Sequence, residues 1–186
     1  MWLAEQELLT EPEASPLRDA QAGDLKAFEI LLEPLLDPAY RLAVVMLQDR
    51  TEAEDVLQEA AFRAWKSIRS FRRDPASLKP WFLTIVANQC RQTRRARWWS
   101  VLRGPTVVLE PVVPEDMVLQ RSDLAHAVAN LGREDRVALH LYFGLDIQID
   151  EVARALGVSP RGAKSRIHRA VKRLRLNLED QEILLP

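Results

Sequence analysis

Apolar residues recur at helical spacing along most of the chain, and no pair of segments alternates as paired strands would. A first amphipathic helix is predicted between residues 24 and 36. Its apolar positions are Leu25, Phe28, Leu32 and Leu35. Residues 40–47 are strongly apolar and predict a buried helix, and we expect Pro34 and Pro38 to interrupt the chain before it.

The next helix has a start signal in the sequence. Thr51 followed by Glu54 resembles a capping box, in which each side chain bonds a backbone N–H of the first turn. A single apolar stripe follows, made of Leu57, Ala61, Ala64, Trp65 and Ile68. Residues 70–79 are polar and predict a loop. Pro80 then suits the first turn of a helix that should run to about Arg97.

A linker rich in proline and glycine separates two helical regions. It contains Gly104, Pro105, Pro111 and Pro114. Helical spacing resumes near residue 121, and residues 149–175 fit a helix-turn-helix. In that motif Gly157 supplies the turn, Ser159 the N-cap and Pro160 the first residue of the second helix.

The predicted fold class is therefore all-α, with two small helical domains joined by an extended linker and a helix-turn-helix at the end of the second. We expect an N-terminal arm over residues 1–16, with a short helix near residues 2–9, and a first helical domain over 17–98. The linker covers 99–120, the second domain 121–176 and a C-terminal tail 177–186.

The second helix of the helix-turn-helix has an apolar back and a basic front. Its back carries Ala163, Ile167 and Ala170. The front and its flanks carry Arg161, Lys164, Ser165, Arg166, His168, Arg169 and Lys172. Such a helix suits the major groove of DNA, and the alternative is an ordinary amphipathic surface helix.

The helix predicted from Pro80 to Arg97 offers a different basic surface. Together with the basic loop, residues 69–79, its polar face carries Arg72, Arg73, Lys79, Trp81, Asn88, Arg91 and Arg95. An aromatic ring, an amide and arginines on one face can stack on unpaired bases and hold phosphates. The alternative is that Trp81 belongs to the core and the arginines only solubilise the helix.

The preceding helix carries an acidic surface, which we call the acidic face. Asp55, Gln58 and Glu59 are spaced so that a partner could meet all three together. Neither a companion histidine nor a metal-ligand pattern accompanies these residues, so catalysis is not expected. A protein-binding face and a solvated face both remain open.

Charge is strongly polarised along the chain although the formal net charge is only −1. Residues 1–62 hold 14 acidic and 4 basic residues, whereas residues 63–103 hold 1 and 11. Residues 136–175 form a second basic block, with 3 acidic and 9 basic residues. Two basic blocks and an acidic one indicate two contacts with a polyanion and one acidic surface for another partner.

Amino-acid composition further narrows the classes of protein to which the chain can belong. Cys90 is the single cysteine, which excludes a disulfide framework and fits a buried apolar role in a reducing compartment. Neither a signal peptide nor an apolar run of about 18 residues is present, so we expect a cytoplasmic protein without membrane insertion. We also expect no metal and no cofactor.

These residues together resemble the extracytoplasmic-function (ECF) group of bacterial sigma factors. Asp49 to Glu59 is similar to the polymerase-binding helix of that family's region two, and Trp81-Phe82-Leu83 and Asn88 resemble the rest of that region. Glu151-Val152-Ala153 and Lys164 to Ala170 resemble its region four. The resemblance covers about residues 20–97 and 121–175, and both halves in this order make it specific.

The resemblance implies a non-enzymatic subunit that binds core RNA polymerase and directs it to promoter DNA. Asp55, Gln58 and Glu59 become polymerase contacts, the basic loop and the face from Trp81 to Asn88 read the melted −10 element, and the second helix of the helix-turn-helix reads the −35 element. The resemblance also allows an anti-sigma factor as a further partner.

Two rival functions remain. A two-domain repressor or activator would explain the helix-turn-helix but not the second basic block. A nucleic-acid-modifying enzyme lacks support because His126, His140 and His168 lie on different elements, without an acid pair.

Overall fold

The structure is a computed structural model that describes residues 15–101 and 123–183, and every regular element in these ranges is helical. A first group contains α1 (Pro16–Ala22), α2 (Leu25–Leu47), α3 (Arg50–Ser67) and α4 (Leu78–Val101). A second group contains α5 (Asp123–Ala129), α6 (Arg133–Leu139), α7 (Ile149–Leu156) and α8 (Pro160–Ile183). The all-α prediction is confirmed. The helix expected near residues 2–9, linker residues 102–120 and the last three residues lie outside the described ranges.

Helices α2, α3 and α4 pack against one another and form the core of the first group, with α1 lying on α2. Leu42, Phe82 and Val86 are completely buried between them. Phe28 of α2 meets Trp65 of α3 with ring centroids 5.2 Å apart. The apolar stripes seen in the sequence therefore face this core.

The expected interruption at Pro34 and Pro38 is wrong, because α2 runs unbroken through both residues. Each proline lacks the N–H that a helix interior needs, which costs about 3 kcal/mol. Part of this cost is avoided because Ile30 and Pro34 both face solvent, so the carbonyl that Pro34 leaves without a donor is not buried. Burial of the run from Ala39 to Leu47 contributes more, at about 1.5–3 kcal/mol for each large apolar side chain.

The capping box predicted at Thr51 is also wrong. Helix α3 begins at Arg50, and its N-cap is Asp49, whose carboxylate accepts a 3.0 Å hydrogen bond from the backbone N–H of Glu52. Aspartate and threonine are both good N-caps, so sequence alone left two candidates two residues apart.

The segment between α3 and α4 contains two short 3₁₀ turns, Ile68–Ser70 and Pro75–Ser77, of which the second lies within the stretch 70–79 expected to be a loop. Pro80 lies in the first turn of α4, as predicted. Helix α4 runs to Val101 and thus beyond the predicted end near Arg97.

The second group is built on α8, against which α5, α6 and α7 pack. A π-helical turn, His140–Gly144, follows α6. Helix α7 ends at Gly157, which has a φ of 68° that glycine adopts without strain. The hydroxyl of Ser159 then accepts a 3.1 Å hydrogen bond from Gly162 N–H. The predicted helix-turn-helix and its cap are confirmed.

The two groups lie in direct contact. Helix α4 packs against α7, and α2 packs against α6, so buried residues of both groups form one continuous core. Arg133 at the start of α6 donates a 2.9 Å hydrogen bond to the side-chain oxygen of Gln48 at the end of α2. The contact places the helix-turn-helix beside the polar face of α4.

Candidate nucleic-acid interface

The basic front of α8 is open to solvent. Ala163, Ile167 and Ala170 are buried against the second group, and burying this back turns the opposite side of the helix outward. The residues exposed on the front are Arg161, Lys164, Ser165, His168, Arg169 and Lys172. The structure thus brings six of the seven predicted residues onto one accessible surface of one helix.

Arg166 is the exception on α8. Its side chain is only 22% exposed, and its guanidinium makes a 2.5 Å ion pair with Glu134 of α6. Another arginine of α8, Arg173, bonds the buried carboxylate of Asp135 at 2.5 Å. These two pairs fix α8 to α6 and orient the front of the helix.

The basic loop has a defined conformation. Phe71 is buried, and its ring meets that of Trp81 edge-on at a centroid distance of 5.2 Å. The carbonyl of Phe71 accepts a 2.7 Å hydrogen bond from Gln21 Nε2, and Asp74 caps the second 3₁₀ turn through Ala76 N–H at 2.7 Å. These anchors hold the backbone of the loop while Arg72 and Arg73 remain exposed.

Trp81 is half-buried, between the two alternatives considered for it. One part of its indole packs against Phe71, and the rest is accessible at the start of α4. Further along the same helix Asn88 and Arg95 are exposed. An anchored indole with an accessible edge beside polar residues can still stack on a base.

Two residues of this face bond the second group instead of facing solvent. Lys79 Nζ donates a 2.7 Å hydrogen bond to the backbone carbonyl of Leu145. The guanidinium of Arg91 bonds both the carbonyl of Ala155 and the side-chain oxygen of Asn88. Burial at this contact lowers the pKa of Arg91, whose side chain nevertheless stays charged because the ordinary value is so high.

The acidic face lies on the outer side of α3, where Asp55, Gln58 and Glu59 are all exposed. Glu59 pairs with Arg63 of the same helix at 2.7 Å. Sequence reasoning missed Phe62, which lies on this face one turn after Gln58 and is 52% exposed. Its signal was its position outside the apolar stripe of α3, which marks a large aromatic side chain turned away from the core.

Cys90 has no chemical part in either surface. Its side chain is completely buried in α4, and burial raises the pKa of the thiol to about 12. Such a thiol is protonated and unreactive at neutral pH, as expected of an apolar filler.

Among the residues that the structure describes, no group of three or more His, Cys, Asp or Glu side chains could hold a metal ion. None of the helices in the same part of the chain combines the length and the apolar character needed to cross a membrane.

Two protein families match the chain. The family described as Sigma-70 region 2 matches residues 31–100, which include α3, the basic loop and most of α4. The family described as Sigma-70, region 4 matches residues 121–174, which include the helix-turn-helix. The order and separation of the two matches are those inferred from the motifs.

Individual relatives agree with these matches. The ECF RNA polymerase sigma factor SigM of Mycobacterium tuberculosis is 34% identical over 158 residues, which are 82% of this chain and 78% of the relative. SigL of the same organism is 29% identical over 87% of this chain and 94% of its own length. The sigma factor RpoE of Bartonella quintana, solved in complex with the anti-sigma factor NepR, has a TM-score of 0.70 and 26% identity over 83% of this chain and 98% of its own.

Proposed function

Because the chain belongs to the ECF group of sigma factors, we propose how its surfaces divide the work of promoter-specific transcription initiation. The first domain, residues 17–98, binds core polymerase and reads the melted −10 element. The second domain, residues 121–176, reads the −35 element as duplex. The arm 1–16, the linker 99–120 and the tail 177–186 connect and flank these domains.

The −35 assignment depends on a single observation, the exposure pattern of α8. Its front carries four basic side chains besides Ser165 and His168, all exposed, while its back is buried. Residues near the N-terminus of a recognition helix usually meet base edges, which gives that part to Arg161 and Lys164 or Ser165. Arg169 and Lys172 lie further along and hold phosphates, with Arg166 positioning the helix through Glu134.

The −10 assignment rests on the basic loop and the adjoining face of α4. Trp81 supplies the stacking surface, Asn88 a hydrogen-bonding amide, and Arg72, Arg73, Lys79, Arg91 and Arg95 the positive charge. Stacking of an unpaired base on an aromatic ring contributes about 1–3 kcal/mol. The anchored loop backbone supports this assignment, because an ordered surface captures a flipped base without first having to be ordered.

The acidic face of α3 is the proposed contact with core polymerase. Asp55, Gln58 and Glu59 would meet basic groups, and exposed Phe62 would supply an apolar anchor beside them. Aromatic side chains in the centre of a charged surface are typical of residues that dominate the free energy of binding.

Three further proposals follow from family membership. The chain is a non-enzymatic subunit, since its described surfaces suit recognition. It acts in the cytoplasm, where promoters and polymerase are found. An anti-sigma factor is proposed as a partner, because the similar RpoE structure was solved with one bound.

The test is run-off transcription from a genomic promoter library with purified core polymerase and this chain. The double variant Asp55→Lys with Glu59→Lys should lose core binding and transcription while staying folded, because exposed charges contribute little to stability. Asp150→Lys on α7 is a matched control for charge reversal at an exposed site outside the proposed surfaces. If the double variant binds core as the control does, the acidic face is not the polymerase contact.

The same experiment separates this function from that of a transcriptional repressor or activator. A sigma factor gives promoter-specific transcripts only together with core polymerase. A regulator would bind its duplex site tightly alone and would give no transcript when added to core. The latter result would overturn the proposed function.

A further inference from the structure

Two arginines from each domain come together at the corner between α2 and α3. Arg133 of α6 donates a 2.9 Å hydrogen bond to the side chain of Gln48, and Arg97 of α4 pairs with Glu52 at 3.2 Å. Gln48 is the C-cap of α2 and Glu52 lies in the first turn of α3, so both arginines reach the same corner. One further arginine lies a helical turn away on each of α4 and α6. We call these four residues the arginine cluster: Arg94, Arg97, Arg133 and Arg136.

The bonds made within the protein leave most of the charge of the arginine cluster unpaired. All four side chains are half-buried. Arg136 bonds the backbone carbonyl of Ala129 at 2.7 Å, and Arg133 bonds a neutral amide. Arg94 has neither a hydrogen bond nor an ion pair with any residue that the structure describes. Only Arg97 has a carboxylate partner among the described residues of this corner, so three guanidinium groups lack a counter-charge.

One atom of the arginine cluster lacks an acceptor altogether. Arg133 Nε is buried and has no hydrogen-bond partner among the described residues. A buried charged donor without an acceptor is unfavourable, and in native proteins it calls for a specific explanation. Burial, and then the positive charges of the other three cluster members, lower the pKa of Arg133, which stays charged because its ordinary value is so high. A bound anion would supply the acceptor and offset the repulsion, whereas the alternative is a contact that merely tolerates this cost.

The geometry of the arginine cluster favours a particular kind of anion. A guanidinium group is a planar fork that bonds two oxygens of a phosphate at once. Two forks on α4 and two on α6 match an anion with adjacent phosphate groups better than a single small ion. The side chains are also recessed between helices, unlike the exposed front of α8. A recessed cluster suits a compact anion, and an exposed one suits the extended backbone of a nucleic acid.

We propose that the arginine cluster binds the di- or triphosphate group of a nucleotide, with arginines of both domains around the phosphates. The inference is independent of the promoter-reading surfaces, because none of the four arginines belongs to them. The bound group accepts the hydrogen bond that Arg133 Nε otherwise lacks. Since a ligand that binds the folded chain stabilises it, the same binding raises the stability of the chain.

The experiment uses the full chain and inorganic tripolyphosphate as the probe, titrated by calorimetry at constant ionic strength. Arg94→Gln is the main variant, since Arg94 bonds none of the described residues and its loss breaks no contact of the fold. Arg18→Gln, at an exposed position of α1, removes the same charge far along the chain from the cluster and is the matched control. Circular dichroism verifies that both variants are folded.

The wild type should bind tripolyphosphate at a single saturable site. Arg94→Gln should weaken binding at least about tenfold, which is the loss expected for one charge-assisted hydrogen bond. Arg18→Gln should bind as the wild type does. Tripolyphosphate should also raise the melting temperature of the wild type and of Arg18→Gln more than that of Arg94→Gln. Adenosine triphosphate should displace the probe, and adenosine should not.

A second variant separates the fork geometry from charge alone. Arg94→Lys keeps the positive charge but cannot bond two phosphate oxygens as a planar fork does. It should therefore bind the probe more weakly than the wild type and more tightly than Arg94→Gln. Equal affinities of Arg94→Lys and the wild type would show that no bidentate contact is made at this position and would contradict the proposed site.

Three other outcomes overturn the proposal. The first is the absence of saturable binding to the wild type. The second is an equal loss of affinity in Arg18→Gln or in Lys164→Gln on the front of α8, which would show that the probe binds diffusely to positive charge. The third is displacement of the probe by a short DNA strand without terminal phosphates, at equal phosphate concentration, with the affinity for this strand lowered by Arg94→Gln. The cluster would then hold a nucleic-acid backbone instead of a nucleotide.

Discussion

His140 is a residue whose ionisation the fold perturbs. Its imidazole is largely buried in the π-helical turn, and its Nε2 atom has no hydrogen-bond partner among the described residues. Burial, with a smaller effect from the positive charge of Arg41, lowers the pKa from 6.5 to about 4. The folded state therefore binds fewer protons than the unfolded state between these two values, and stability is lost as the pH falls through this window.

We predict that the free energy of unfolding falls by about 2 kcal/mol through His140 alone between pH 7 and pH 5. His140→Leu, which fills the site without an ionisable group, should make the pH dependence shallower by that amount. His168→Gln changes the exposed histidine of α8 and serves as control. Urea titrations at the two pH values measure the free energy of unfolding. An equal loss between the two pH values for the wild type and His140→Leu would contradict the prediction.

The sequence predicted the surroundings of a residue well where they depend on one helix. It predicted them less well where a distant segment of the chain supplies the contact. The faces of α8 followed from helical spacing, and six front residues are exposed as expected. Lys79 and Arg91 were likewise predicted to belong to a basic surface that binds nucleic acid, but each bonds a carbonyl more than 60 positions away along the chain. Helical periodicity holds no information about such a contact.

At the scale of elements, α2 shows that burial outweighs a local rule. Pro34 is exposed and deprives the Ile30 carbonyl of its donor, yet the helix continues because the apolar run after Ala39 is buried in the core. Sequence could predict both halves of this helix but not their continuity, because the helices that pack against it, α3 and α4, are later segments of the chain.

Pro34, one of the two prolines inside α2, gives a stability prediction. Pro34→Ala restores the missing N–H and should stabilise the chain by about 1–2 kcal/mol, because the gain in helix propensity exceeds the added entropy of the unfolded chain. Pro160→Ala at the first residue of α8 should instead cost about 0.5 kcal/mol, since proline fits that position. Urea midpoints measured for both variants check the opposite signs, and a loss at Pro34→Ala would contradict the argument.

The turn of the helix-turn-helix gives a second prediction at this scale. Gly157→Ala places a Cβ at a φ of 68° and should destabilise the chain by about 1–2 kcal/mol. Thermal unfolding measures this loss. Gly132→Ala is the control, because Gly132 has a negative φ and open space around its Cβ direction. Equal melting temperatures for the two variants would show that the turn does not require glycine.

For the whole molecule, the important feature is the continuous core across the two domains. The sequence predicted two domains joined by a linker, and it could not reveal their contact because that contact rests on individual bonds such as Arg133 to Gln48. Coupling through a shared core has a thermodynamic consequence, since destabilising one domain then lowers the stability of the other.

The distribution of tryptophan makes this coupling measurable. All five tryptophans lie between residues 2 and 99, so tryptophan fluorescence reports on the arm, the first domain and the first residue of the linker, whereas far-UV circular dichroism reports on all helices. Leu141→Ala removes a completely buried side chain from the second domain and should cost about 2–5 kcal/mol. If the domains are coupled, both signals move to the same lower urea midpoint.

Independent domains would behave differently in that titration. The fluorescence midpoint of Leu141→Ala would stay at its wild-type value, and the circular dichroism curve would separate into two transitions. Glu151→Lys provides the complementary control, because the carboxylate of Glu151 lies 3.9 Å from the guanidinium of Arg73 in the first domain and otherwise pairs only with the exposed Arg154 of its own helix. This variant should separate the urea midpoints of the two signals without the loss of stability expected for Leu141→Ala. The reason is that it weakens the coupling between the domains while leaving both cores filled.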